Sequence, residues 1–230
     1  MYDLYKLAYT PWEWHEEIFR VAREEGLVCF STPFDKTAVD LLESLGNPIY
    51  KIASFEITDI PLIAYIASKH KPVILSTGIA MEEDIRLALE TLRKGGCDDI
   101  TLLKCTSEYP ATVEDANLLT IPDMKQRFGV KVGLSDHTEG SVVPMAAVAL
   151  GAEVVEKHFI IDRSIGGPDS AFSMNAEEFA QMVKNVREVE KSLGTVNYPT
   201  DPSKIKGRGG CRSLYVSQDV KAGDVVTEQN

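Results

Sequence analysis

Short runs of apolar, β-branched residues alternate along the chain with longer stretches in which apolar residues recur every three or four positions. The first pattern is typical of buried strands and the second of amphipathic helices. Because one helix follows each strand at once, the pattern favours a closed barrel over a doubly wound open sheet. The sequence therefore predicts a partial (β/α)8 TIM barrel of the α/β class, with about six βα units, whose strands are Val28–Ser31, Tyr50–Phe55, Val73–Thr77, Ile100–Cys105, Lys131–Ser135 and Glu153–His158.

The pattern changes after Gly194. Residues 195–210 are rich in proline and glycine and have the composition of a linker. Leu214–Val216 and Val225–Val226 then predict the first strands of a small β domain over residues 211–230. A complete barrel has eight strands and about 250 residues. We therefore assign residues 1–194 to a barrel domain that lacks its first two strands.

Charge and hydropathy exclude two classes of partner. With 24 Lys and Arg against 35 Asp and Glu, the net charge is −11, which argues against general nucleic-acid binding. The longest apolar runs, such as Val142–Leu150, are shorter than the roughly 20 residues of a membrane span, and no charged-then-apolar leader opens the chain. We expect a cytoplasmic protein that binds neither nucleic acid nor membrane. The four cysteines form no C-x-x-C motif, so reduced thiols are expected.

Polar residues gather where the predicted strands end. In a (β/α)8 barrel the active site lies at the carboxyl ends of the strands. Hydroxyl and ammonium groups at this position can hold a phosphate or carboxylate through charge-assisted hydrogen bonds. Any single Ser or Thr could instead cap the helix that follows it. The prediction of an anion site therefore depends on the set as a whole, which includes Thr32, Lys51, Ser54, Ser76, Ser107 and Ser135.

Two of the four histidines, His137 and His158, close consecutive strands. Side chains alternate along a strand, so Ser135 shares a face with His137, and Glu156 shares a face with His158. Neighbouring strands lie about 4.8 Å apart, which would let two imidazoles share a divalent ion. Nitrogen ligands of this kind suit Mn, Co or Zn better than Mg. The alternative is that each histidine is an ordinary core or loop residue.

Five motifs together give the chain a specific resemblance. They are Lys51–Glu56, Leu75–Gly78, Gly133–Thr138, Glu156–Phe159 and Gly167–Asp169. With these motifs the chain closely resembles the sialic acid synthase family, and the resemblance runs from about Tyr2 to the end. Phe55–Ile63 and Thr10–Trp14 are more similar to the pseudaminic acid synthase branch than to the N-acetylneuraminate synthase branch.

The resemblance implies an activity and an architecture. Members of the family condense phosphoenolpyruvate with an amino-sugar aldehyde on a (β/α)8 barrel, which a small antifreeze-like (SAF) β domain follows. The pseudaminic branch uses 2,4-diacetamido-2,4,6-trideoxy-L-altropyranose and forms a nonulosonic acid and phosphate. A divalent metal is implied, Mn first, with Mg or Co as alternatives, and a homodimer is implied for the intact protein.

The resemblance also implies a role for each candidate residue. His137 and His158 match metal ligands and, with Glu56, catalytic residues. Phosphoenolpyruvate would be held by Thr32, Lys51, Ser54, Ser76, Ser107 and Ser135, and the sugar by Phe34, Glu56, Tyr109 and Asp169. In a regular strand Lys51 and Glu56 would face opposite sides, so both can reach one site only if the strand ends or bulges near Ser54.

Other interpretations remain open at this point. The chain could be an N-acetylneuraminate or legionaminate synthase, a metal-dependent pyruvate aldolase, or a barrel fragment that serves as a scaffold. The resemblance places two strands, with a glutamate and a lysine, before Met1, and an arginine in the β domain. Since these groups are not in the sequence, we expect this chain by itself to be inactive or nearly so.

Overall fold

The computed structural model describes Lys6 and residues 9–230. The chain divides into two units, the first ending at Leu193 and the second comprising Gly194–Asn230. In the described residues, no helix is both long enough and apolar enough to cross a membrane.

The first unit contains a parallel sheet whose five strands lie side by side in chain order. A doubly wound sheet reverses its strand order at a switch point, whereas a barrel adds each new strand on the same side. The observed order, with a helical crossover between neighbours, confirms the predicted barrel architecture. The strands are β1 (Tyr50–Ile52), β2 (Val73–Ser76), β3 (Ile100–Cys105), β4 (Lys131–Asp136) and β5 (Val155–Lys157).

Helices precede, separate and follow these strands. They are α1 (Trp12–Glu24), α2 (Lys36–Ser44), α3 (Ile60–Ala67), α4 (Glu82–Lys94), α5 (Thr120–Phe128), α6 (Val142–Ala149) and α7 (Ala176–Leu193). The start of α7 shows why the sequence folds this way locally. Asn175 Oδ1 accepts a bond from Glu178 N at 2.9 Å, and Glu178 Oε2 accepts one from Asn175 N at 3.0 Å. This reciprocal cap satisfies backbone donors that the first turn leaves without partners.

The two sides of the sheet carry different chemistry. Apolar residues such as Ile52, Leu102 and Leu134 point toward the helices and form the continuous core. The alternate positions point to the opposite side, which we call the inner face, and toward the carboxyl ends of the strands they are polar. Lys51 and Ser76 lie there. A core on one side and polar residues on the other follow from the two-residue period of a strand.

One predicted strand of the barrel is wrong. Val28–Ser31 runs without strand structure, and the backbone NH of Ser31 donates to the side chain of Asn47 at 3.3 Å instead of to a neighbouring strand. Apolar, β-branched composition favours an extended chain, but a strand also needs a ladder partner. Over the described residues the sheet therefore has five strands where the sequence predicted six.

The second unit also differs from its prediction. Its regular elements are two short 3-10 turns, Pro202–Lys204 and Arg208–Gly210. The strands predicted at Leu214–Val216 and Val225–Val226 are not formed. Leu214 and Val225 are largely exposed to solvent, so these β-prone residues have no packed face to stabilise a strand pair.

Candidate active site

The end of β1 brings Lys51 and Glu56 to the same region. β1 stops at Ile52 and the chain turns at once into a 3-10 turn over Ser54–Glu56. This turn removes the conflict that an uninterrupted strand would create. Lys51 is close enough to stabilise the charged form of the Glu56 carboxyl. The strand is thus three residues shorter than the predicted Tyr50–Phe55, and its early end meets the condition under which both side chains can reach one site.

A hydrogen-bonded cluster on the inner face links the carboxyl ends of four strands, β1, β2, β4 and β5. Lys51 Nζ donates to Ser76 Oγ at 2.8 Å and lies 3.5 Å from Glu156 Oε1. The same carboxylate oxygen accepts a bond from Ser135 Oγ at 2.6 Å. Lys51 is only 6% exposed, and a buried ammonium is stable only with partners of this kind. The cluster thus presents one cation and two hydroxyls that an incoming anion could bind.

Gly78 lies where a second group of small polar side chains meets. Its backbone NH donates to Ser54 Oγ at 3.0 Å. A Cβ placed on Gly78 would come within 2.1 Å of Ser107 Oγ and 3.0 Å of Cys105 Sγ. Only glycine lets the loop after β2 approach the ends of β1 and β3 so closely. This approach brings Ser54 and Ser107 into one place, as predicted.

His137 and His158 lie side by side at the ends of β4 and β5. Their ring centroids are 5.2 Å apart, with the rings nearly perpendicular. His137 Nδ1 lies 2.7 Å from the carbonyl oxygen of Thr106, which fixes the orientation of the ring. If that nitrogen carries the proton, Nε2 is left as the lone-pair donor. His158 Nδ1 lies 3.6 Å from Asp169 Oδ2.

Aromatic rings enclose the two imidazoles. Tyr109 stacks on His137 with ring centroids 4.1 Å apart, and its ring lies 5.9 Å from that of His158. Phe172, which is buried, packs against His158 with ring centroids 5.0 Å apart and lies 6.2 Å from the ring of Tyr109. These contacts restrict the rotamers of both histidines. They also place Tyr109 and Asp169 beside the histidines, where the sequence predicted sugar-binding residues.

Burial also affects the acid–base properties of Glu56. It raises the pKa of the Glu56 carboxyl above its ordinary value, and the attraction of Lys51 offsets only part of the increase. Glu56 Oε2 is buried without a hydrogen-bond partner among the described residues. A buried carboxyl group with a raised pKa is suited to proton transfer.

The pKa values of the two histidines and of the neighbouring Cys105 thiol are also shifted. Burial, and then repulsion from His137, lower the pKa of His158 and favour its neutral form. Burial opposes protonation of His137 as well, but contacts with Cys105 and the Thr106 carbonyl outweigh it and raise its pKa. The pKa of the Cys105 thiol falls to about 7, although burial opposes this, because His137 and Ser54 stabilise the thiolate.

The donor set is compatible with a metal ion but supplies only part of its coordination shell. In residues 9–230 and at Lys6, no group of three or more His, Cys, Asp or Glu side chains is placed to hold a metal ion. Two adjacent, oriented imidazoles fit a divalent transition metal whose other ligands are water and substrate oxygens. His137 and His158 are therefore the residues that could hold it.

Two predicted residues lie outside this arrangement. Thr32 and Phe34 follow the segment that does not join the sheet. Within the described part of the chain, neither makes a hydrogen bond or ring contact with the other predicted residues, and the Phe34 side chain is exposed. The structure therefore brings together the candidates from the strand ends of β1 to β5, together with Asp169, but does not connect these two to them.

Sequence reasoning assigned no role to three residues that the structure places in the site. Glu156 and Cys105 both lie on the inner face, and the alternation that places His158 there also places Glu156 two residues earlier. Phe172 lies in the irregular chain between Asp169 and α7, where no periodic pattern indicates which side chain is buried.

Comparison with known proteins identifies the family. The sequence model of the NeuB family matches residues 1–198. The chain belongs to the NeuB family. Among NeuB relatives, it is 46% identical over 230 residues to the pseudaminic acid synthase of Campylobacter jejuni subsp. jejuni serotype O:23/36 (strain 81-176), covering 100% of this chain and 67% of that protein. It is 48% identical over 231 residues to the pseudaminic acid synthase of Helicobacter pylori, covering 100% of this chain and 68% of that protein.

A solved NeuB-type structure supports the same assignment. The crystal structure of N-acetylneuraminic acid (sialic acid) synthetase from Leptospira borgpetersenii serovar Hardjo-bovis, in complex with citrate, superposes with a TM-score of 0.82 at 33% identity. The match covers 88% of this chain and 70% of that one. The chain therefore spans about two thirds of the length of the relatives it matches.

Proposed function

We propose that the protein is a pseudaminic acid synthase, which condenses phosphoenolpyruvate with 2,4-diacetamido-2,4,6-trideoxy-L-altropyranose. One observation carries the proposal: a buried lysine and two serine hydroxyls, from β1, β2 and β4, converge beside a pair of oriented histidines. Such a set can hold a doubly anionic substrate next to an electrophile. The identity of 46% and 48% to two pseudaminic acid synthases supports the choice of sugar.

Phosphoenolpyruvate would bind at the cluster of hydroxyl and ammonium groups. Lys51 supplies the positive charge, and Ser76 and Ser135 donate hydrogen bonds from either side. Ser54 and Ser107, which meet at Gly78, extend the row of hydroxyl groups. Thr32 joins this set only by resemblance. Glu156 now accepts the bond from Ser135, so it lies beside the anion position.

The aldehyde of the sugar would lie against His137 and His158. A divalent metal held by the two imidazoles, Mn first and Co or Mg as alternatives, would polarise the aldehyde oxygen as a Lewis acid. Tyr109 and Asp169 border the position of the sugar, because both contact the histidines. Phe34 joins them by resemblance.

The reaction forms one carbon–carbon bond and releases phosphate. C3 of phosphoenolpyruvate bonds to the aldehyde carbon, water adds to C2, and the bond from C2 to the phosphate oxygen then breaks. The products are a nine-carbon 2-keto acid and inorganic phosphate. The aldehyde oxygen takes up a proton to become a hydroxyl, and the water that adds to C2 loses one. Glu56, whose carboxyl has a raised pKa and, among the described residues, a buried oxygen without a hydrogen-bond partner, is the group we propose to carry such a proton.

We also propose that the intact protein is a homodimer, that it is cytoplasmic, and that an antifreeze-like β domain begins near residue 211. The homodimer and the β domain rest on the resemblance alone.

Phosphate release tests the proposal. The intact protein is purified and given phosphoenolpyruvate, Mn²⁺ and either the 2,4-diacetamido sugar or N-acetylmannosamine. We expect release with the first sugar only. Release with N-acetylmannosamine only would make the protein an N-acetylneuraminate synthase, and release with neither would overturn the synthase assignment.

The role of the histidines has its own test. His137→Ala and His158→Ala should abolish phosphate release while each variant keeps a cooperative thermal transition. His15→Ala is the matched control, because His15 lies on α1, away from the strand ends, and its ring nitrogen is 3.1 Å from the local Pro11 carbonyl. Wild-type activity that persists in a chelator would contradict the metal assignment.

A further inference from the structure

A buried ion pair lies directly behind the two histidines. Lys157 Nζ donates to Asp136 Oδ2 at 2.6 Å, and the two side chains are only 1% and 2% exposed. Asp136 immediately precedes His137, and Lys157 immediately precedes His158. Alternation along the strands turns this pair toward the helices and turns the histidines toward the inner face.

The pair holds the chain on both sides of His137. Asp136 Oδ1 accepts bonds from Thr138 N at 3.1 Å and from Thr138 Oγ1 at 2.9 Å, which closes a turn around the histidine. Lys157 Nζ also donates to the carbonyl oxygen of Thr138. One ammonium therefore bonds to the residue before His137 and to the residue after it. We call Asp136, Thr138 and Lys157 the bracket.

The bracket spans β4 and β5 at the point where their ladder ends. β5 has only three residues, and its ladder with β4 ends at the pairing of Asp136 with Lys157. His137 and His158 come one residue later, beyond that ladder. Backbone bonds do hold each histidine locally, since His137 O accepts from Ala111 N and His158 O accepts from Met174 N. Those bonds lead to different loops, however, and not from one histidine to the other.

We propose that the bracket sets the separation of the two imidazoles and that Asp136 and Lys157 are therefore positioning residues for the site. This inference rests on the proposed function, because it assigns to the pair the geometry that the histidines need to share one ligand. Buried ion pairs contribute little net stability compared with well-packed apolar residues. The bonds of this pair on both sides of His137 give it a role in the geometry of the site. Groups that orient metal-binding histidines commonly change metal affinity by about 10- to 100-fold when replaced.

The test replaces both charged members of the bracket, so that neither is left buried without its counterion. In the double variant Asp136→Asn/Lys157→Met, the asparagine carbonyl still accepts the bonds from Thr138, and the methionine fills the space of the lysine stem. The matched control is Lys131→Met, at the other end of β4, where the lysine pairs with Asp99 near solvent. Each protein is assessed by thermal unfolding, Mn²⁺ titration calorimetry, steady-state kinetics and crystallography.

We expect the double variant to fold but to bind Mn²⁺ about 10- to 100-fold more weakly, with kcat reduced and KM for phosphoenolpyruvate nearly unchanged. Its crystal structure should show the imidazoles displaced from the 5.2 Å separation of the parent. Lys131→Met should match the wild type in all four measurements. A folded double variant with the parent separation, affinity and kcat would overturn the proposal.

The crystallographic measurement separates this inference from the proposed function. If the wild type neither binds Mn²⁺ nor releases phosphate, the synthase assignment fails. The separation of the imidazoles would still show whether the bracket positions them: a displaced pair supports the inference, and an unchanged pair overturns it.

Discussion

The two ends of the same sheet use lysine and carboxylate side chains in opposite ways. At the amino end, Lys131 pairs with Asp99 at 2.8 Å, and both side chains are more than half exposed. At the carboxyl end, Lys157 pairs with Asp136 at 2.6 Å, and almost none of either side chain reaches solvent. The distances are similar, so the difference between the ends is one of solvation and not of geometry.

The exposed pair and the buried pair therefore contribute differently to the stability and to the function of the protein. An exposed pair stabilises a protein by about 0–1 kcal/mol because water and salt screen it. A buried pair must recover the free energy of removing two charges from water, and it does so only while both partners remain. The carboxyl end thus contains polar groups that the fold alone does not require, and this is the end where βα barrels place their active sites.

Breaking the buried pair should have the largest effect on stability. Lys157→Met leaves the Asp136 carboxylate buried without its counterion, and we expect unfolding free energy to fall by about 3–5 kcal/mol. Urea denaturation of the variant and the wild type measures this. A loss below that of a surface pair would show that water reaches Asp136 and that the two ends do not differ.

Removing the charge of the anion cluster should affect binding more than folding. Lys51→Ala deletes the cation that bonds to Ser76, and we expect binding of phosphoenolpyruvate to weaken by about 1.5–3 kcal/mol, the contribution of a hydrogen bond to a charged group. Calorimetric titration with phosphoenolpyruvate measures the change. Lys125→Ala, which removes an exposed lysine at the amino end, is the control. Equal affinities of the two variants would remove Lys51 from the anion site.

A side chain at position 78 should clash with its neighbours at the carboxyl end of the sheet. Gly78→Ala places a Cβ 2.1 Å from Ser107 Oγ and 3.0 Å from Ser54 Oγ. We expect a loss of about 1–3 kcal/mol in unfolding free energy, as for other overpacked positions, with weaker binding of phosphoenolpyruvate. Gly210→Ala, where a Cβ meets nothing within 4 Å, should be neutral. A fully stable Gly78→Ala variant would show that the serines rotate away freely.

The raised pKa of Glu56 predicts a smaller, pH-dependent effect. The folded state holds this proton more tightly than the unfolded state, so the carboxyl destabilises the fold as pH rises from the ordinary glutamate value through the raised one. The neutral side chain of Glu56→Gln avoids this. The unfolding free energy of the variant relative to that of the wild type should therefore be larger at pH 8 than at pH 4. A constant difference would contradict the shift.

The smallest effect is expected at the amino end. Lys131→Met should change unfolding free energy by no more than about 1 kcal/mol, and the change should shrink in high salt. Chemical denaturation at two salt concentrations measures it. A loss as large as that of Lys157→Met would mean that the ends of the sheet do not differ in the way described.

Local pattern was enough to predict the elements that lie at the centre of the sheet. β3 matches its predicted strand at both ends, because a mostly apolar run that is buried on both faces is typical of a parallel strand. Strand alternation also placed Ser135 on the face of His137 and Glu156 on the face of His158, and the structure shows that Ser135 and Glu156 are hydrogen-bonded. It placed His137 beside His158 for the same reason.

Nonlocal pairing explains what the sequence did not predict. Val28–Ser31 has a strand-like composition, but whether a ladder forms depends on a neighbour that the segment itself does not specify. Alternation turned Asp136 and Lys157 toward the helices without indicating that they bond to each other. Phe172 was missed because irregular chain has no period from which burial can be read.

The alternation of side chains along β4 and β5 limits how these strands can change in evolution. Inserting or deleting one residue inverts every side chain that follows it in a strand. In β4, such a change would send Ser135 and His137 into the apolar core and bring Asp136 to the inner face. Substitutions here can be gradual, but changes of length would exchange the two faces at once. We therefore expect natural length variation in this barrel to be confined to its loops.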